Sequence, residues 1–332
     1  MRILHGVFTR SLFGSERYAA DLARLQCQFG HEVHIAVDPR SRLPQLLPEA
    51  VRVHALPWFA RRWRLKALMK RLQPDICHAH LSAACKALGA LTQRPPAVAT
   101  LHVGYKPRQH ARLDGLIALT DSAAARIADF KGRVTRIWNW SPRLPDPGAD
   151  PRGTVRRELG IAGDAFVIGF VGRLHPSKNP QLLVEAYRAA GLKNAALVLA
   201  GDGPERADVE KRAAGDPTIH VLGLRTDAAR LYQAFDLFVL PSRFEQVPLV
   251  LMEAMASGLP IAASAIESIA EFLPVPPAHL FPSEDAQALA AVLNAEAARA
   301  QRREAYDMTP FNPETQAAKI MTFYDTVRAA AR

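Results

Sequence analysis

The sequence predicts an α/β protein built from two Rossmann-like domains, each a doubly wound parallel sheet. Three observations carry the prediction. Short apolar runs with strand character alternate with longer stretches of helical spacing from end to end. The alternation breaks once, in a proline- and glycine-rich stretch over residues 139–154, and then restarts. With 332 residues, the chain can bury two cores of ordinary size.

The first set of strands is "RILHGVF", "HEVHIAV", "VRVHAL", "DICHAH", "AVATLHV", "LIALT" and "VTRIW". Between the first two, "SERYAADLARLQCQFG" has apolar spacing suited to a helix and ends at Gly30, a residue that stops helices. "RLKALMKRL" sets Leu65, Leu68, Met69 and Leu72 on one helical face before Pro74. After the break come "AFVIGFVGRL", "AALVLAGDG", "IHVLGL", "LFVLPS", "LPIAAS" and "AHLFPS", separated by helical patterns. The predicted domains are therefore residues 1–145 and 155–310, with the break as a linker. The stretch "NPETQAAKIMTFYDTVRAAAR", within residues 311–332, is an amphipathic helix free to pack on either domain.

No apolar run approaches the roughly 18–20 residues that span a bilayer, so a soluble globular protein is expected. "MRILHGVFTR" has no small-residue cleavage site and reads as a strand rather than a signal peptide, which points to the cytoplasm. Cys27, Cys77 and Cys85 have no metal-ligand spacing and suit reduced, buried thiols. The net charge of +10 implies attraction to something anionic. Arginine is scattered, without interleaved aromatics or a DNA-reading motif, so nucleic acid is not the expected partner.

Two segments carry chemistry. In "FVGRLHPSKNP" a strand gives way at Gly172 to a loop bearing Arg173 and Lys178, at the sheet edge where open α/β folds bind ligands. A planar guanidinium fork and a lysine point charge together suit a diphosphate. In "SRFEQVPLVLMEAMASGLPIAAS" a helix starting near Pro248 would aim its free N–H groups and dipole at an anion. Glu245 then lies just outside the helix and Glu253 within its first turns. Their eight-residue separation would span about 12 Å if fully helical, close to the reach from a ribose past a diphosphate to a sugar. A carboxylate accepts two hydroxyl hydrogen bonds, so one glutamate fits a ribose and the other a sugar ring.

Taken in order, "GRLHPSKN", "LAGDGPE", "VLGLRTD" and "AFDLFVLPSRFEQVPLVLMEAMASGLPIAAS" resemble the donor-binding half of glycosyltransferase family 4, retaining enzymes of the GT-B fold. The match includes the family's E-x7-E, here Glu245 and Glu253. The resemblance implies two Rossmann-like domains facing a cleft, with the donor mainly on the second and the acceptor on the first. It implies Arg173 and Lys178 at the donor diphosphate, Glu253 at the ribose hydroxyls and Glu245 at the sugar. Backbone amides following Glu245, at Val247 and Leu249, would touch sugar and phosphate, with Pro248 between them as part of the donor site. The base would meet the backbone of residues 222–225, including Leu224. In the first half, "SLFGSERYAADLARLQCQFGHEVHIAV" resembles the family's glycine turn, with Gly14 where the backbone approaches a ligand. His102, in "ATLHVG", falls where a family histidine contacts the donor sugar. This chain departs from the pattern in having Ser15 after Gly14, "WNW" for P-N-G, and Gln246 for the glycine after the first glutamate.

No D-x-D is present and no histidine cluster has ligand spacing, so transfer without metal or cofactor is expected, with cations and a helix terminus holding the leaving diphosphate. The implied chemistry is same-face transfer, in which Glu245 positions the sugar and is not a nucleophile. The segment "WFARRWRLKALMKRL" sets Arg61, Arg62, Arg64, Lys66, Lys70 and Arg71 around Trp58, Phe59 and Trp63. It suits an anionic inner-membrane surface, or simply a crossover helix with its leucines in the core. The expected activity is hexosyl transfer from a nucleotide-sugar to a saccharide or lipid-linked acceptor in lipopolysaccharide or envelope polysaccharide assembly. The alternatives are a nucleotide-sugar epimerase on the same fold and a non-catalytic nucleotide-sugar binding module.

Overall fold

The computed structural model describes residues 1–10, 12–141, 144–299 and 302–331. They form two compact units, Met1–Trp140 joined by the chain from Pro310 onward, and Ser141–Thr309.

The strands of the first unit are β1 (Arg2–Val7), β2 (Glu32–Val37), β3 (Arg52–Ala55), β4 (Ile76–His80), β5 (Ala97–Thr100), β6 (Gly115–Ala118) and β7 (Arg133–Arg136). They pair in parallel in the order β3-β2-β1-β4-β5-β6-β7. The inner strands β4, β5 and β6 are buried at every residue, which is why β5 and β6 run almost wholly apolar without alternation, while β4 buries His78 and His80 among its apolar residues. The edge strands β3 and β7 carry the polar, exposed positions.

Helices α1 (Gly14–Gln28), α2 (Arg61–Leu72), α3 (Leu81–Gly89), α4 (Pro107–His110) and α5 (Asp121–Ala125) connect these strands. Glu16 accepts from the Phe13 N–H at 3.0 Å and closes the start of α1, and Gly30 takes φ 83° just past its end. In α2, Leu65, Leu68 and Met69 enter the core and Leu72 packs against it. Cys77 and Cys85 are buried free thiols and Cys27 is half-buried.

The second unit begins with α6 (Pro151–Glu158) and continues β8 (Phe166–Val171), α7 (Pro180–Ala190), β9 (Ala195–Ala200), α8 (Arg206–Ala213), β10 (Ile219–Gly223), α9 (Ala228–Ala234), β11 (Leu237–Leu240), α10 (Leu249–Ala256), β12 (Ile261–Ser264), α11 (Glu267–Ala270), β13 (His279–Phe281) and α12 (Ala286–Ala297). Its parallel sheet has the order β10-β9-β8-β11-β12-β13.

The linker expected over residues 139–154 is shorter than the composition suggests. Asp150 caps α6 by accepting from the Gly153 N–H at 2.9 Å, and Pro151 supplies the first helical residue, where its missing N–H is not needed. Pro142 and Arg143, also in that stretch, lie outside the described residues. On the other side of the break, Trp140 is a buried core residue of the first unit, its ring stacked on Tyr18 with centroids 4.3 Å apart.

The last helix, α13 (Pro313–Ala330), belongs to the first unit. Its Ile320, Phe323, Tyr324 and Val327 pack with Ile3, Leu22, Ile76 and Val98. Gly115 on β6 makes room for it, since a Cβ there would lie 2.8 Å from Val327 and 2.9 Å from Phe323.

In both sheets the strand order reverses once, between β1 and β4 in the first unit and between β8 and β11 in the second. Connections leave in opposite directions at these points, so the loops at the carboxyl ends part and open a crevice.

Candidate functional site

Two loops meet at the switch point of the second unit. The one after β8 carries Gly172, Arg173 and the short turn Pro176–Lys178, and the one after β11 carries Ser242 to Pro248. The first is held by "LAGDG". A Cβ on Gly201 would lie 1.7 Å from the Gly172 carbonyl oxygen, and one on Gly203 would lie 2.2 Å from that of Leu174, so only glycine allows the approach. The two loops are then joined by backbone. The Arg243 N–H donates to the Ser177 carbonyl at 2.9 Å, and the Arg243 guanidinium donates to Pro176 O at 2.9 Å.

This stitching brings Lys178 against Glu245, whose carboxylate is nearly buried. The Ser242 hydroxyl also donates to Glu245 Oε1, at 2.8 Å, and Ser268 Oγ donates to the Glu245 carbonyl at 2.9 Å. Glu245 is thus fixed at both side chain and backbone. Lysine and glutamate, read from sequence as separate contacts to phosphate and sugar, form one ion pair. Arg173 is exposed on the same loop as Lys178.

Pro248 caps α10 rather than opening it, so the first helical residue is Leu249. The difference follows from the extended ψ of 121° at Pro248, and it leaves the N–H groups of the first turn at the mouth of the crevice. Glu253, the fifth residue of α10, is nearly buried and accepts from the Tyr232 hydroxyl at 2.6 Å. Val247 and Pro248 are buried, Leu249 is half-buried and Leu224 is exposed just past β10. Arg225 braces the Leu224 loop by donating to Asp227 at 2.8 Å and to Glu158 at 2.6 Å.

Gly14 and His102 lie in the first unit, Gly14 as the first residue of α1. His102 stands two residues beyond the end of β5, its ring edge-on to Tyr18. Its Nε2 lies 3.2 Å from His80 Nδ1, and His80 Nε2 lies 3.0 Å from His5 Nδ1. The expectation that no histidine cluster has ligand spacing is therefore corrected. His5, His78 and His80 bring ligand-type nitrogens within 4.8 Å of one another, fully buried. In "ICHAH" the two β4 histidines are two residues apart, which puts both on one face of the strand, and His5 comes from β1 alongside.

Chelation has competition at this cluster. The His78 and His80 rings stack with centroids 4.3 Å apart, and every ring nitrogen of the three has a hydrogen-bond partner. Burial lowers His5 to about 4 and His102 to about 3, and pushes His78 and His80 well below the ordinary histidine range. All four imidazoles are neutral at pH 7.

Sequence reasoning missed Tyr232, Gln26 and Tyr324, whose roles depend on contacts between distant elements, and Ser242, whose bond to Glu245 depends on how one loop turns. The H-x-H of "ICHAH" is the one signal that was present.

The sequence matches the family model described as Glycosyltransferase Family 4 over residues 14–140 and that described as Glycosyl transferases group 1 over residues 165–295. A D-inositol 3-phosphate glycosyltransferase of Geodermatophilus obscurus is 34% identical over 201 residues, covering 51% of this chain and 44% of that protein. The lipopolysaccharide core biosynthesis glycosyltransferase LpsD of Rhizobium meliloti is 25% identical over 288 residues, covering 80% of this chain and 79% of LpsD. The chain spans about half the length of the inositol-phosphate relatives it matches. The crystal structure of Anabaena Alr3699/HepE in complex with UDP-glucose superposes with a TM-score of 0.77 at 19% identity, over 100% of this chain and 99% of that one. The two parallel-sheet units are those of the GT-B fold. The chain belongs to the family 4 glycosyltransferases.

Proposed function

We propose that the protein transfers a hexosyl group, with retention, from a nucleotide-sugar to a saccharide or lipid-linked acceptor in bacterial lipopolysaccharide or envelope polysaccharide assembly. One observation carries the reading: the largely buried ion pair of Lys178 and Glu245 stands directly ahead of the α10 N-terminus, with Glu253 inside that helix, at the switch point of the sheet. Arg173, Lys178 and the α10 N–H groups supply positive potential for a diphosphate that gains charge as it leaves. Glu253 supplies an acceptor pair for ribose hydroxyls, and Glu245 one for the sugar. Because the stabilising charge comes from side chains and a helix terminus, the proposed transfer needs no metal. The name of LpsD supports a lipopolysaccharide setting.

The test is calorimetry and a transfer assay with UDP-glucose and its GDP and ADP counterparts, with and without magnesium. Metal-independent binding lost in Glu253→Ala, with release of nucleotide in step with glycoside, is expected. Conversion of donor without acceptor would favour the epimerase, and binding without turnover a binding module.

Membrane attachment is the second part of the proposal. Trp58, Phe59 and Trp63 are 70%, 69% and 82% exposed, beside the exposed Arg62, Arg64 and Lys66, while the α2 leucines fill the core. Three large aromatics in water beside cations suit the interface of an anionic leaflet. Among the described residues no helix is long and apolar enough to cross a membrane.

A further inference from the structure

The buried histidines of the first unit are links in a longer chain of hydrogen bonds with a direction. A neutral imidazole has one N–H and one lone pair, so along a run of ring-to-ring hydrogen bonds each tautomer dictates the next. The run is anchored at Gln26, fully buried on α1. Its Oε1 lies 2.7 Å from His5 Nε2, and its Nε2 lies 3.2 Å from the Tyr324 hydroxyl and 3.7 Å from Met321 Sδ.

With the amide oxygen facing it, His5 Nε2 must donate, which leaves His5 Nδ1 as an acceptor. His80 Nε2 donates to that nitrogen at 3.0 Å, so His80 Nδ1 is an acceptor in turn and takes its hydrogen bond from His102 Nε2 at 3.2 Å. On the other arm Tyr324 accepts from Gln26 and donates to His78 Nδ1 at 2.6 Å, and His78 Nε2 donates to Thr100 Oγ1 at 2.9 Å. Each link has one donor and one acceptor. Turning the Gln26 amide over would reverse all of them together. Met321 decides the sense, because a thioether accepts weakly and has no proton to give, so the amide NH2 faces it.

We propose that Gln26, acting through His5 and His80, locks His102 as the Nε2–H tautomer, so that His102 offers Nδ1 as a hydrogen-bond acceptor to a sugar hydroxyl. The identity of that hydroxyl rests on the reading of His102 as a donor-sugar contact; the lock itself does not. Gln26, His5 and His80 are positioning residues. Leu81, immediately after His80, takes φ 65°, a left-handed conformation that non-glycine residues seldom adopt. Burial keeps all four rings neutral, the state in which a directional chain exists.

The experiment is long-range ring 15N–1H correlation on the full chain labelled with 15N-histidine at neutral pH, with His102 assigned by its loss in His102→Asn. A neutral ring with its proton on Nε2 is expected. A proton on Nδ1, or a charged ring, overturns the lock. Gln26→Leu gives a mixture of tautomers and about a tenfold fall in donor kcat/KM, the scale of one hydrogen bond. A single unchanged tautomer in Gln26→Leu overturns the anchoring role, and unchanged kcat/KM with mixed tautomers overturns the acceptor role. The wild-type spectrum depends on neither the folding of a Gln26 variant nor a functioning transfer assay. UDP-glucose added to the same sample tests the sugar contact separately: His102 signals that do not move count against that contact and leave the tautomer result standing.

Discussion

The hydroxyl of Tyr232 donates to Glu253 Oε2 at 2.6 Å, tying the helix that precedes β11 to the helix that follows it. Both groups are buried or nearly so. A carboxylate proposed to hold a ribose is thereby set in place before any ligand arrives. Tyr232→Phe removes the donor and nothing else of size. Hydrogen bonds to charged groups contribute about 1.5–3 kcal/mol. The second unit should unfold at lower urea, and donor affinity measured by calorimetry should fall several-fold. Unchanged affinity would mean that Glu253 does not depend on Tyr232 for its placement.

Lys178 and Glu245 form the other fixed contact. Lys178→Met leaves the Glu245 carboxylate with Ser242 as its remaining named partner and removes a cation from the phosphate position. Donor affinity should drop by about tenfold or more, as expected for loss of a partly buried charge contact. Glu245→Gln should lower turnover more than affinity, since the amide keeps an acceptor yet loses the pair. A double-mutant cycle between the two reads their coupling, and zero coupling would sink the pair as a functional unit.

Acid should unfold the first unit through its histidines. Unfolded histidine titrates near 6.5, whereas burial lowers His5 to about 4 and His102 to about 3. Above pH ~6.5 neither state binds these protons. Below it the unfolded chain takes them up and the folded chain does not, so stability falls by about 1.4 kcal/mol per pH unit for each histidine involved. Urea midpoints from pH 7 to pH 5 measure this slope, which should flatten in His5→Gln. A slope equal to that of the variant would show that His5 takes no part.

Serine in place of Trp58, Phe59 and Trp63 should abolish sedimentation with phosphatidylglycerol vesicles and leave Tm unchanged, because these side chains are exposed. Equal binding of the native chain to neutral phosphatidylcholine vesicles would remove the electrostatic part of the proposal. No binding to either would remove the whole.

Arg156, the buried arginine of α6, donates to Asp236 at 2.7 Å and to the carbonyls of Ala234, Gly163 and Ala165. Asp236 also accepts from the Val167 N–H at 2.8 Å. Arg156→Met breaks a buried pair and should destabilise the second unit by about 3 kcal/mol in chemical denaturation. A loss below 1 kcal/mol would mean that α6 contributes little to that unit.

Much of the fold was legible because parallel sheets buried on both faces require unbroken apolar strands and helical crossovers, and both are periodic over short windows. The same locality exposed Arg173, Lys178 and Glu245, which lie on the loops that follow β8 and β11, and Glu253, in the helix that comes next. The start of α6 was hidden because proline at a helix's first position looks, in composition, like proline in a linker. Trp140 was legible only as a departure from a motif, and the structure makes it a core ring against Tyr18.

Sequence by itself determined the two sheets, their loops and the charge those loops carry, since each follows from neighbours along the chain. Tertiary structure decided which charges pair, which carboxylate is braced and which tautomer a histidine holds. Gln26 and Tyr324 are 298 residues apart and meet only because α13 docks beside α1. A side-chain hydrogen bond depends on position and direction to a fraction of an ångström, and no local pattern of residue types encodes that.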